Sequence, residues 1–289
     1  MKTSVNISSK KGLFRHGEVL STDRTRIGYQ SIGDGPGILL VHGALRDSND
    51  YTRLAIALSR SFTVHLMDRR GRGLSGPQGP EYAMDKECED VQAVREATGA
   101  DYLIGHSYGG LVSLELASMD PSIAKVGLYE PGVLLRPMDD AWMRLYEQAL
   151  LRNDRRGAFA HFVRGMGQTP LTRLPYWYAK LILRLMVRGE HWRKIARLLP
   201  QNLQEHREVR RLSSSCLNYG DTQADVLVIQ GDKSPDTTKE AMTALTGAIN
   251  RSKLETVNGL DHFGPENEGG PDRIACLLAN FFLIPEGVR

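Results

Sequence analysis

The chain has 289 residues, of which 41% are apolar and 25% charged, and its formal net charge is +3. That apolar share excludes a wholly disordered chain, and so small a charge gives no reason to expect a nucleic-acid partner. The most apolar uncharged stretch, Ala275 to Pro285, falls far short of the ~20 residues that span a bilayer, so no membrane span is expected.

The opening segment, Met1 to Gly12, is polar, carries three lysines and lacks an apolar signal core. Short apolar runs then alternate with helical patterns. Thr25 to Ile32 reads as a strand, followed by the Gly33-Asp34-Gly35-Pro36-Gly37 turn. Ile38 to Val41 is an unbroken apolar run, typical of a strand buried on both faces. A helix is predicted over Tyr51 to Leu58, a strand over Phe62 to Met67, and a loop from Arg69 to Gly76. Met84 to Thr98 fits a helix with a capping acid near its start. The strand Tyr102 to Ile104 feeds Gly105-His106-Ser107-Tyr108-Gly109 and a helix over Leu111 to Ser118. Lys125 to Tyr129 is a further strand.

Pro137 to Arg211 breaks the alternation: its spacing is helical, it is rich in arginine, and it shows no strand. Between Gly132 and Ser215 the net charge is +9, whereas the rest of the chain carries −6. Alternation then resumes with a strand at Val226 to Ile229, a helix at Thr237 to Ile249, a strand at Lys253 to Val257 and a helix at Pro271 to Phe282. The pattern predicts an α/β fold, a mainly parallel sheet flanked by helices. Residues 1–131 and 223–289 would form the core and residues 132–222 a helical cap or lid. Cys88, Cys216 and Cys276 are widely separated and odd in number, so they read as reduced thiols in a cytoplasmic protein rather than as a disulfide framework or metal pair.

The chemistry concentrates in three places. Gly105-His106-Ser107-Tyr108-Gly109 is a G-x-S-x-G between a buried strand and a helix, the context of a nucleophile elbow. Ser107 needs a base to take its proton. Of the eight histidines only His262 lies in a loop after the final strand, and loops at the carboxyl ends of parallel strands gather on one edge of the sheet. His42-Gly43-Ala44 follows the buried strand Ile38 to Val41. The amides of Ala44 and Tyr108 are the expected oxyanion donors, with His42 bracing the loop.

These three segments, with Asp68-Arg69-Arg70-Gly71-Arg72-Gly73-Leu74-Ser75, resemble the α/β-hydrolase superfamily in its single-insert form with a helical cap. The loop is similar to that of small esterase and lactonase-like members. The resemblance spans about Arg26 to Phe282 and implies the chain order serine, acid, histidine, with a substrate pocket between cap and core. It implies no metal and no organic cofactor. A serine at the elbow argues against haloalkane dehalogenase and epoxide hydrolase chemistry, which use Asp there.

The acid departs from the pattern. Many relatives carry Asp three residues past the Gly after the seventh strand; counting from Gly231 gives Ser234, which cannot supply the charge that stabilises an imidazolium. Glu130, in Tyr129-Glu130-Pro131 at the end of the preceding strand, is the favoured replacement. Asp232 and Asp236 are the alternatives.

Gly71-Arg72-Gly73-Leu74-Ser75-Gly76 also matches G-x-G-x-x-G, but Pro77-Gln78-Gly79-Pro80 follows where a dinucleotide site needs a helix, so nucleotide binding is rejected. Nine arginines of the insert (Arg144, Arg152, Arg155, Arg156, Arg164, Arg173, Arg184, Arg188 and Arg193) offer a surface to an anionic substrate or acidic partner, against the plainer account of a solvated face. Trp142, Tyr176, Trp177, Tyr178 and Trp192 are read as the packing of the insert. The function expected is a serine hydrolase cleaving an ester-like bond (ester, lactone or thioester) of a small molecule. The rivals are an acyltransferase or lyase on the same scaffold, or a ligand-binding homologue with an idle site.

Overall fold

A computed structural model describes residues 12–167, 169–213 and 218–284. Residues 1–11 of the polar opening segment, and Cys216, lie outside the described residues. Eight strands, β1 (Arg15–Leu20), β2 (Arg26–Ile32), β3 (Gly37–Val41), β4 (Thr63–Met67), β5 (Ala100–His106), β6 (Lys125–Tyr129), β7 (Asp225–Gly231) and β8 (Ser252–Val257), form one sheet in the order β1-β2-β4-β3-β5-β6-β7-β8. The pairs β1–β2 and β2–β4 are antiparallel, and all the others are parallel.

The helices follow from burial on both faces. Successive strand residues point to opposite faces. Ile38 and Leu40 of β3 pack with α1 (Thr52–Leu58) and α9 (Pro271–Leu283), whereas Leu39 and Val41 pack with α2 (Met84–Thr98), α3 (Tyr108–Met119) and α8 (Asp236–Ala248). An uninterrupted apolar run is therefore what a central strand here requires. The edge strand β1 went unread in the sequence because none of its residues is buried, which leaves no apolar periodicity. The capping acid expected for α2 comes from elsewhere: Met84 N–H donates to Glu208 Oε2 at 2.9 Å, across from the insert.

The insert between β6 and β7 is α4 (Ala141–Leu151), α5 (Arg155–Gly165), α6 (Tyr176–Met186) and α7 (Gly189–Arg211). It has its own apolar cluster, in which Tyr146, Phe159, Leu183, Leu198 and Leu199 pack with Leu45 of the loop after β3. Trp142 and Trp192 join that cluster, but Trp177 and Tyr178 do not bear out the packing expected of them and are exposed. Pro200 lies inside α7 and cannot donate to the carbonyl four residues back; Arg155 donates to that carbonyl, of Ala196, instead. Arg144 pairs with Asp140, and Arg193 with Glu190. Arg156 donates to the carbonyl of Val187 and stacks on Trp192.

Insert and core are joined by buried charge. In the loop after β4, Arg69 makes a two-pronged contact with Glu87 of α2 and reaches Glu205 of α7 at 2.5 Å. Arg72 pairs with the same Glu205 oxygen. All four side chains are wholly buried. The glycines of the rejected nucleotide motif serve this loop: Gly71 N–H donates to Gly76 C=O at 2.7 Å, and Asp68 accepts from the amides of Leu74 and Ser48. Among the described residues no helix is long and apolar enough to cross a membrane.

Two outcomes follow. Removing one member of a buried ion pair leaves the other charge stranded, so Glu205→Ala is expected to cost about 3–5 kcal/mol in denaturant unfolding; a loss within about 1 kcal/mol, the worth of a surface pair, would show that the cluster does not hold the insert. Second, burial lowers the pKa of His65 to about 4, and burial also holds His42, His106 and His206 below the ordinary imidazole value. An unfolded imidazole takes up its proton near 6.5, whereas folded His65 stays neutral to about 4. Unfolding free energy should therefore fall as pH drops from about 6.5 towards 4, and His65→Gln should flatten the slope.

Candidate active site

The bend between β5 and α3 carries Ser107 at φ 54° and ψ −121°, a conformation that L-residues rarely adopt. Space explains its glycines. A Cβ on Gly105 would sit 2.5 Å from Gly110 Cα, and one on Gly109 would run into the carbonyls of Val41 and His42. The bend is pinned from β6, since Ser107 N–H donates to Tyr129 C=O at 3.1 Å and Gly132 N–H to Ser107 C=O at 2.8 Å.

Ser107 Oγ lies 3.1 Å from His262 Nε2, and His262 Nδ1 lies 2.8 Å from Glu130 Oε2. A carboxylate only accepts, so the proton sits on Nδ1 and Nε2 presents a lone pair to the Ser107 hydroxyl. Glu130 follows β6 directly, with φ 41°, and its side chain is 1% exposed. Its second oxygen accepts from Gly231 N–H at 2.8 Å and from Ser234 Oγ at 2.5 Å. Ser234, at the position where the resemblance calls for an acid, thus donates to Glu130. The alternative carboxylates are not brought to the imidazole: Asp232 accepts from Gly259 N–H at 2.5 Å, and Asp236 is exposed beside Lys239.

The loop after β3 lies against the bend. A Cβ on Gly43 would be 3.2 Å from Ser107 Cβ. The amides of Ala44 and Tyr108 have no hydrogen-bond acceptor among the described residues, and both residues line the cavity beside Ser107. His42 braces this loop: its Nδ1 donates to Gly43 C=O at 2.8 Å, and its Nε2 accepts from Arg69 N–H at 3.1 Å. The sequence reading missed a second brace. Gly43 N–H donates to Tyr51 Oη at 3.2 Å, the Tyr51 hydroxyl donates to His106 Nδ1 at 2.6 Å, and His106 Nε2 donates to His262 C=O at 2.8 Å. The directions agree with each other, because the last acceptor is a carbonyl and fixes the tautomer. Tyr129 Oη also donates, to Asp261 C=O at 2.7 Å. Two side chains therefore hold the His262 loop in place.

Between insert and core lies a cavity of two lobes. The larger, about 560 Å³, is walled by Phe159, Phe162, Val163, Leu171, Leu183 and Ile195, with the Arg46–Glu266 ion pair (2.8 Å) at its side. The smaller, about 250 Å³, is walled by Leu134, Leu135, Met138, Val209, Ala241 and Met242. They meet at Ala44, Ser107, Met166, His206 and His262, which line both. None of the nine insert arginines lines either lobe. His206 was passed over in the sequence; its only signal there is a place on the apolar face of α7 with Leu198, Leu199, Leu203 and Val209.

Tyr51→Phe removes one hydroxyl and strands two buried partners, so it should lower unfolding free energy by about 1–3 kcal/mol. Urea denaturation measures this, and no loss would show that the Tyr51–His106 chain does not brace the site.

Known proteins bear on the same arrangement. The chain is 23% identical to a 2-(acetamidomethylene)succinate hydrolase of Mesorhizobium japonicum over 268 residues, 89% of this chain and 92% of that protein. It is 32% identical to an N-formylmaleamate deformylase of Pseudomonas putida over 106 residues, 35% of this chain and 39% of that one. A solved alpha/beta hydrolase from Sphaerobacter thermophilus superposes with a TM-score of 0.77 at 26% identity, covering 92% of this chain and all of that one. The model of the alpha/beta hydrolase family matches residues 38–275, and the chain belongs to that family.

Proposed function

We propose that this protein is a serine hydrolase acting on an ester-like carboxyl derivative of a small molecule. Ser107 Oγ attacks the carbonyl carbon as His262 Nε2 takes its proton. Glu130 holds the imidazole by Nδ1 and stabilises its charged form, aided by Gly231 and Ser234 on its other oxygen. The free amides of Ala44 and Tyr108 donate to the oxyanion, and Tyr108 adds the first turn of α3 with its positive dipole end. His262 then protonates the leaving group. Water, activated by the same imidazole, attacks the acyl carbon, and Ser107 leaves with the proton restored. Residues 132–222 act as the cap that closes over the substrate and excludes bulk water. The apolar walls of the cavity favour an apolar substituent in the larger lobe.

One observation carries this reading: the unbroken line from Ser107 Oγ through the His262 ring to Glu130, at 3.1 and 2.8 Å. A fluorophosphonate probe should label Ser107, and Ser107→Ala should abolish the label; absence of labelling by probes of several sizes would refute the hydrolase reading. Glu130→Gln should lower kcat by roughly 10⁴-fold on any ester the enzyme turns over, because a neutral side chain neither fixes the tautomer nor stabilises the imidazolium. Asp232→Asn and Asp236→Asn should stay within about threefold of the parent enzyme, each being a surface change away from the reacting groups. If either of those collapses turnover while Glu130→Gln does not, the acid is misassigned.

A further inference from the structure

His206 is 4% exposed, lines both lobes of the cavity, and takes no part in the chemistry proposed above. It projects from α7 between Trp142 and Phe162, with ring centroids 5.6 and 5.1 Å away. Its Nδ1 donates to the carbonyl of Asn202, one turn back, at 2.9 Å. That bond fixes the tautomer: the proton is on Nδ1, and Nε2, at the far end of the ring from the helix, carries only a lone pair. Nε2 has no partner among the described residues. Burial pushes the ring below the ordinary imidazole pKa, so the neutral form persists at pH 7. The lone pair is not sealed in the packing but stays accessible, as an acceptor on the cavity wall would be.

We propose that His206 Nε2 is a substrate-binding acceptor: it takes a hydrogen bond from an O–H or N–H carried by the substrate within a few atoms of the scissile carbonyl. This deepens the hydrolase reading and rests on it. The substrate class is a largely apolar acyl compound bearing one hydroxyl or amide N–H near the reacting bond. Of the arginines lining the two lobes, Arg46 is held by Glu266, whereas Arg136 lines the smaller lobe.

The test compares esters that differ only in that donor. The panel is 4-nitrophenyl hexanoate with its 2- and 3-hydroxy and 2- and 3-acetamido derivatives, and hexanoate monoesters of 1,2-propanediol. Each hydroxyl is matched by its O-methyl ether and each acetamide by its N-methyl counterpart, which keep polarity but lose the donor. At least one donor-bearing ester should exceed its methylated twin by about tenfold or more in kcat/KM, because a site built to bond an O–H or N–H rejects the analogue without it. His206→Phe should bring that ratio to within about threefold of unity, whatever it does to absolute rates, and His206→Gln, which keeps an acceptor, should retain part of it. Should His206→Phe fail to fold, the wild-type ratios and His206→Gln still decide. Flat ratios across the panel in an enzyme whose Ser107 is labelled, or a preference untouched by His206→Phe, would overturn this assignment alone. Failure of Ser107 to label would remove the hydrolase reading and this one with it.

Discussion

The carboxyl edge of the sheet is organised around one buried carboxylate. Glu130 stands at the end of β6 in a left-handed conformation, almost without solvent. A charge there is tolerable only if its lone pairs are met. They are met from three directions, by the amide of Gly231, the hydroxyl of Ser234 and the ring of His262. Since β6 and β7 are neighbours in register, satisfying this carboxylate draws the ends of both strands and the loop after β8 to a common point. The proposed catalytic line is thus also a solution to a desolvation problem, and geometry and electrostatics ask for the same arrangement.

A second polar layer holds the roof to the floor. Arg69 and Arg72 share Glu205 of the insert, and the Arg69 guanidinium lies 4.5 Å from the ring centroid of Tyr108, whose amide is a proposed oxyanion donor. Glu208, one turn further along α7, caps α2. Helix α7 is therefore fixed to the core at the same level as the elbow. That is the helix from which His206 reaches the cavity, so its position relative to Ser107 is set by buried ions rather than by a loose lid.

Much of this was legible in the chain. The central strands announced themselves because both faces are buried, and the elbow because so few residue types fit between β5 and α3. The parallel order then placed Ser107 and His262 on one edge without any coordinates. Glu130, Asp232 and Asp236 were the carboxylates considered for the acid, and of these Glu130 is the one that contacts the His262 ring. What stayed hidden had no local signature. Strand β1 buries nothing, so it leaves no pattern. The Tyr51–His106 bond joins residues 55 positions apart, and His206 shares a cavity wall with residues far from it in the chain, which spacing along the sequence does not encode. The aromatic pair Trp177 and Tyr178 read as packing because composition cannot say which side of α6 meets a neighbour.

The place of Glu130 has a consequence for how the insert can be joined to the core. Here the segment departs at Pro131, one residue after Glu130, and Gly132 is bonded to Ser107 itself. The junction and the relay are the same stretch of backbone. Any segment put in place of this insert would have to preserve the left-handed turn at position 130, because that turn aims the Glu130 carboxylate at Gly231, Ser234 and His262.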